Sequence, residues 1–262
     1  MNEASIGFFD SGVGGLTIWK EVVGLLPMEP TVYLADSLNA PYGEKNPDEI
    51  LELSRKNTIK LLEFGCKLIV VACNTATTNA IAQLRQEFEV PFIGIEPAIK
   101  PAALHSVSKK IGVLATRGTL TSSLFAARSK DYAEDLEIIE QEGEGLVRLI
   151  ESGDLGGEAM SSRLQKLLQP MLAKGVDHLV LGCTHYPFLI PTLQTILPES
   201  VTIVDCGLPV ARQVKNVLTQ RHALREASGA PLHRLFSNAD VTVMNVLLNQ
   251  MGQAGMAKKM DF

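Results

Sequence analysis

The chain has 262 residues, 46% of them hydrophobic and 20% charged, with a formal net charge of −5. That is enough apolar material for one or two packed domains. The charge balance gives no basic footprint for nucleic acid, and no apolar run approaches the roughly 18 residues of a membrane-spanning helix.

In chain order, Ile6–Phe9 reads as a first strand running into Asp10-Ser11-Gly12-Val13-Gly14-Gly15-Leu16, whose glycines permit a tight turn with amides close to a ligand. A helix follows over Leu16–Leu25, then a strand over Thr31–Ala35 ending in Asp36. The loop Asn39–Lys45 is long for an α/β connection, and long loops in compact domains are often functional. Asn46-Pro47-Asp48-Glu49 reads as a helix start, with the helix ending near Phe64-Gly65. A strand over Lys67–Ala72 leads to Cys73, with a helix over Thr77–Glu87 and a strand over Val90–Ile95.

A strand restarts at Ile111–Ala115, and helical patterns cover Ser122–Asp131, Gly145–Glu151 and Arg163–Lys174. The apolar run Leu179-Val180-Leu181 then ends in Gly182-Cys183-Thr184-His185-Tyr186-Pro187. Beyond it come a strand at Thr202–Asp205, a helix at Val210–Glu226, a strand at Leu232–Phe236 and a helix at Val241–Met251. The tail Met256–Phe262 has no pattern. Alternating strands and helices predict an α/β fold with parallel sheets.

Ile6-Gly7 resembles Ile111-Gly112, 105 positions on, and Cys73 and Cys183 are 110 positions apart. Two similar offsets predict two similar, pseudo-twofold related α/β domains with mainly parallel sheets and an active site in the cleft between them. The boundaries expected are 1–97 plus 208–262 for the Cys73 side and 98–207 for the Cys183 side.

The N-terminus does not read as a signal peptide, so a cytoplasmic protein with free thiols is expected. The cysteines Cys66, Cys73, Cys183 and Cys206 show no C-x-x-C spacing, which leaves a metal site unsupported. Cys66 and Cys206 read as small buried hydrophobes. Glu96 before Pro97 reads as a structural hydrogen-bonder, and the glycine run lacks the spacing of a nucleotide loop.

Cys73 and Cys183 each lie just past the carboxyl end of a strand, where parallel sheets bind ligands. Two thiols on opposite faces of one carbon form a stereoinversion device: one thiolate removes a proton and the other thiol returns one. An amino-acid Cα–H is a weak acid, and no cofactor motif is present to absorb the charge. Amide and hydroxyl donors from Ser11, Gly43, Asn74, Thr75 and Thr184 would instead stabilise the enolate-like carboxylate. His185, two residues past Cys183, also admits a thiol hydrolase or transferase, and a hinged layout admits a plain amino-acid binder.

Phe9-Asp10-Ser11-Gly12-Val13-Gly14-Gly15-Leu16, Pro41-Tyr42-Gly43, Val71-Ala72-Cys73-Asn74-Thr75-Ala76, Gly94-Ile95-Glu96-Pro97-Ala98 and Gly182-Cys183-Thr184-His185-Tyr186-Pro187 resemble the glutamate racemases of the aspartate/glutamate racemase superfamily. The resemblance implies cofactor-independent interconversion of L- and D-glutamate for peptidoglycan, with aspartate or a related amino acid as the alternative substrate. It puts Cys73 and Cys183 at the catalytic positions, Asp10 and His185 as their helpers, and Glu151 as a further acidic helper. Asp10-Ser11, Tyr42-Gly43, Asn74-Thr75 and Thr184-His185 match the substrate-binding pairs, with Pro41 and Thr116 completing the set. It implies a small-molecule partner only, and members that associate in different ways, a homodimer among them. The chain departs from the pattern at Glu142-Gly143-Glu144-Gly145, which lacks Ala-Cys-Pro, and at Ser237-Asn238-Ala239-Asp240, where Thr-Thr-Gly-Asp or Thr-Ser-Gly-Asp is more usual. The second departure reads as a structural turn.

Overall fold

The computed structural model describes residues 4–132, 134–226, 229–253 and 257–262. The chain begins with β1 (Ile6–Asp10), α1 (Leu16–Leu25), β2 (Thr31–Ala35), α2 (Pro47–Glu63), β3 (Leu68–Val71), α3 (Asn74–Glu87), β4 (Phe92–Gly94) and α4 (Ile99–His105). It continues through β5 (Lys110–Ala115), α5 (Arg117–Leu120), α6 (Ser123–Lys130), β6 (Glu137–Glu142), α7 (Leu146–Glu151), α8 (Glu158–Ala173), β7 (His178–Gly182) and α9 (Ile190–Ile196). It ends with β8 (Thr202–Val204), α10 (Gly207–Gln220), β9 (His233–Ser237), α11 (Thr242–Gln250) and β10 (Lys258–Lys259).

Two parallel sheets result, in the orders β10-β9-β2-β1-β3-β4 and β6-β5-β7-β8. The run β2-β1-β3-β4 has the same order as β6-β5-β7-β8, so the second sheet repeats the first four strands and the C-terminal segment adds two more to the first sheet. The registers repeat too: Ile6 lies opposite Leu68, and Ile111 opposite His178. Strands β1, β3 and β7 are buried along their whole length. Such continuous apolar runs are what a sheet covered on both faces requires. The helix α1 packs on α10, which ties the C-terminal segment back onto the first half, with Leu16, Trp19 and Val22 buried in the same core as Val214 and Leu218.

The expected elements are found with shifted ends, and five were missed: β6, α4, β10 and the short helices α5 and α9. Strand β6 has the sequence Glu-Ile-Ile-Glu-Gln-Glu and lies at a sheet edge, half-exposed, so it lacks the apolar run of a buried strand. Helix α4 holds Pro101 in its first turn, where no backbone donor is lost, so the prolines there do not interrupt it. The patternless tail supplies β10 beside β9; its first residue, Met256, lies outside the described residues. Helix α3 starts at Asn74 rather than Thr77 because Cys73 is itself the cap. Helix α10 stops at Gln220, earlier than expected.

Candidate active site

Cys73 follows β3 in extended backbone, and its sulfur accepts a hydrogen bond from the Ala76 amide at 3.4 Å. The thiol therefore caps the free amides of α3, a role normally taken by a hydroxyl or carboxylate. Its Sγ lies 3.8 Å from Ser11 Oγ. Burial, and then the neighbouring Asp10 carboxylate, push the Cys73 thiol well above its ordinary value, so in this state it holds its proton.

Asp10 ends β1 and is fully buried. Its Oδ1 accepts from the Ser11 amide at 2.7 Å, and its Oδ2 from the Gly15 amide at 2.5 Å and from Thr184 Oγ1 at 3.3 Å. Burial raises its carboxyl above the usual range, against the pull of His185 and of its hydrogen bonds.

Cys183 follows β7, and its Sγ lies 3.7 Å from His185 Nδ1. The other ring nitrogen, Nε2, is 2.5 Å from Glu151 Oε1 at the end of α7. Burial disfavours charge on this ring, but its bonds to Cys183 and Glu151 win and lift it well above its ordinary value. An imidazolium donates from both nitrogens, which fits a sulfur on one side and a carboxylate on the other. Glu151 is held in turn by the Val13 amide at 2.7 Å and by Ser37 Oγ at 3.3 Å.

The glycine run is explained by these contacts. A Cβ on Gly12 would stand 1.9 Å from Glu151 Oε1, and one on Gly14 2.2 Å from His185 Nδ1. The loop after β1 thus lets side chains of the second half press against its bare backbone. Thr184 O also accepts from Thr17 Oγ1 at 3.0 Å, so the Cys183 loop is bonded to the first half on two sides.

Across the cleft, Thr75 Oγ1 lies 2.8 Å from Thr116 Oγ1, which reaches Thr119 Oγ1 at 3.1 Å. A Cβ on Gly43 would be 2.7 Å from Thr116 Cβ, so the Pro41-Tyr42-Gly43 loop abuts the second half there. Asn74 gives Nδ2 to Ile95 O over 3.5 Å, and its buried Oδ1 has no partner among the described residues. A buried acceptor without a donor calls for one from a ligand. The Tyr42 hydroxyl is committed to Asp36, so what that loop offers a ligand is main chain.

A cavity of about 420 Å³ opens beside Pro41, Gly43 and Thr116, with Arg117 and Arg148 on its wall. Both arginines are paired, with Glu142 at 3.1 Å and Glu44 at 2.9 Å respectively. Burial pushes both Cys66 and Cys206 up to about 12, away from nucleophilic behaviour at neutral pH. Glu96 accepts from Arg128 Nε at 2.8 Å on the surface.

The structure therefore brings Asp10, Ser11, Cys73, Cys183, Thr184, His185 and Glu151 into one buried network, with Thr75, Thr116 and Gly43 along its rim. Missed from the sequence were Ser37, Thr119 and Asp36. Asp36 follows β2 as Asp10 follows β1, and that matching strand-end position was its signal.

Residues 21–214 match the model of the Asp/Glu/hydantoin racemase family. A glutamate racemase of Ectopseudomonas mendocina is 46% identical over 94% of this chain and 94% of its own. A crystal structure of an Escherichia coli glutamate racemase in complex with L-glutamate and the activator UDP-MurNAc-Ala superposes with a TM-score of 0.86 at 34% identity, covering 98% of each chain. A Bacillus anthracis glutamate racemase isoform gives a TM-score of 0.89 at 28% identity, over 100% of this chain and 99% of that one. Among the described residues no helix is long and apolar enough to cross a membrane.

Proposed function

The chain belongs to the Asp/Glu/hydantoin racemase family, and from that premise we propose that it is a cofactor-independent glutamate racemase in which Cys73 and Cys183 act as the two bases. Its role would be to supply D-glutamate for peptidoglycan in the cytoplasm. Segments 1–97 plus 208–262 and segment 98–207 would act as the two domains that hold the substrate between them.

The observation that carries the reading is the unlike pair of sulfurs: one beside a carboxylate and holding its proton, the other 3.7 Å from a charged imidazole. Racemisation needs one acid and one base at rest. In one direction the Cys183 thiolate takes the Cα proton while Cys73 delivers its own to the opposite face. The two cysteines end with exchanged protonation, and the reverse reaction starts from there. In this reading Asp10 and His185 move these protons to and from the sulfurs, which their nearness to Cys73 and Cys183 supports.

The carbanion is the costly species. Hydroxyls of Ser11, Thr75, Thr116 and Thr184 are the donors set around the cleft to receive the substrate carboxylate as it gains enolate character. The unpartnered Oδ1 of Asn74 suits the substrate ammonium. L-glutamate in the E. coli relative supports glutamate over aspartate as the substrate.

The test is incubation with either glutamate enantiomer in D2O. Wild-type protein should lose optical rotation and gain deuterium at Cα, and C73S and C183S should each abolish inversion. Turnover of an ester or amide that survives C73S and passes through a Cys183 adduct would replace the racemase with a hydrolase.

A further inference from the structure

The C-terminal strand β9 ends at Ser237, and the next residue reaches into the first half of the chain. Asn238 is 2% exposed. Its main-chain amide donates to Ala35 O at 3.3 Å, its Nδ2 donates to Asp36 Oδ1 at 2.5 Å, and its Oδ1 accepts from the Leu38 amide at 3.0 Å. One side chain thus grips the end of β2 and the first residues of the loop that carries Tyr42 and Gly43.

Asp36 passes that grip onward. Its Oδ1 also accepts from Asn39 Nδ2 at 2.7 Å, while its Oδ2 accepts from the Tyr42 hydroxyl. Asn57 Nδ2, 3.1 Å from the Tyr42 oxygen, closes the cluster from α2. The buried carboxylate is held by neutral donors, Asn238 and Asn39 on Oδ1 and Tyr42 on Oδ2, so each lost Oδ1 donor loosens the orientation of the carboxylate that anchors Tyr42. Tyr42 is itself fully buried, and Gly43 beside it meets Thr116 across the cleft.

We propose that Asn238 is a positioning residue for the substrate: through Asp36 and Tyr42 it fixes the main chain of Tyr42 and Gly43 against the ligand. The C-terminal segment thereby takes part in binding without touching substrate. An amide suits this post because donor and acceptor sit on separate atoms. A single hydroxyl would have to serve Asp36 and Leu38 from one point. The inference rests on the racemase reading, since it is the glutamate-binding loop that Asn238 holds.

The experiment compares wild type, N238D and N39A by kcat and KM for both glutamate enantiomers, with thermal unfolding alongside. N238D keeps the side-chain shape but replaces the donor with a second carboxylate facing Asp36. N39A removes another donor to the same oxygen from a half-buried site and guards against a variant that fails to fold. Expected is a KM raised about tenfold in N238D and about threefold in N39A, with kcat within about twofold of wild type. Wild-type KM in both variants, or a loss confined to unfolding temperature, overturns the inference while leaving the racemase intact. Absence of glutamate turnover in wild type removes the racemase reading, and this inference with it.

Discussion

Gly14→Ala adds one methyl group where the structure leaves no room. Its Cβ would lie 2.2 Å from His185 Nδ1, 2.6 Å from Cε1 and 2.7 Å from Cγ, against an ordinary contact beginning near 3.4 Å. The imidazole must give way by about 1.2 Å to restore van der Waals contact. It is poorly placed to do so, being 1% exposed and pinned through Nε2 to Glu151, which the Val13 amide pins in turn. Any retreat also lengthens the 3.7 Å contact to Cys183. Gly14 lies outside the left-handed region, so alanine adopts its backbone without strain and the loss is steric alone. A misplacement of about 1 Å costs on the order of 100-fold in rate, and overpacking adds about 1–3 kcal/mol of destabilisation. The assay follows circular dichroism of glutamate from each enantiomer. Enantiomers have equal free energy in water, so kcat/KM must fall by the same factor in both directions. Gly24→Ala is the control, since a Cβ there meets nothing within 4 Å and a helical alanine is tolerated. G14A turning over at the rate of G24A would refute the claim that His185 must sit against bare backbone to act.

Two further outcomes are expected. Burial lowers the His185 pKa, but Cys183 and Glu151 together raise it well above its ordinary value of about 6.5. A folded value above the unfolded one stabilises fully below about pH 6.5, and the benefit is lost as pH rises through the folded value. E151Q keeps an acceptor for Val13 but loses the charge, so the wild-type advantage over E151Q in urea unfolding should be full below about pH 6.5 and shrink as pH rises through the folded value; an advantage that grows with pH contradicts the ion pair. Burial pushes Cys66 and Cys206 up to about 12, so neither is expected to supply a thiolate at neutral pH. The C66S/C206S double variant should keep kcat/KM within about twofold, and a loss as large as that of C183S would mean that a third thiol matters.

Legibility in the sequence followed the range of each interaction. Cys73 and Cys183 stood out because each ends a continuous apolar strand, a purely local pattern, and Asp10 and His185 are read from the same two turns. Glu151 is different. It meets Val13 and His185 from 138 and 34 positions away, and nothing local to α7 announces that. The glycine run signalled a tight turn, but the sequence could not tell that its bareness accommodates Glu151 and His185 rather than a ligand. Asn238 reads as a turn residue; its main-chain amide extends the β2–β9 ladder by a hydrogen bond to Ala35, and its side-chain hold on Asp36 depends on β9 pairing with β2 across some 200 residues. Edge strand β6 stayed hidden because its charged residues face water.

The repeated sheet order places two thiols at matching strand ends, and a strict repeat would give them like surroundings, yet their surroundings differ. The difference arises in three residues after each cysteine. After Cys73 the chain reads Asn74-Thr75-Ala76 and enters α3 at once, so the sulfur receives the Ala76 amide and faces Asp10. After Cys183 it reads Thr184-His185-Tyr186, where the Tyr186 amide, the counterpart of Ala76, donates to Cys183 O at 3.1 Å, and the segment forms a single 3-10 turn over Tyr186–Leu189 before α9. The sulfur there meets an imidazole instead of a helix amide. Thr184 spans the pair, its hydroxyl donating to Asp10 and its carbonyl accepting from Thr17, so the Cys183 loop is fixed relative to the strand end that carries Asp10. Transplanting the helix-entry sequence of the Cys73 loop onto the Cys183 loop would therefore take the imidazole away from the Cys183 sulfur and leave both thiols in like surroundings, so that nothing local would fix which of the two carries the shared proton.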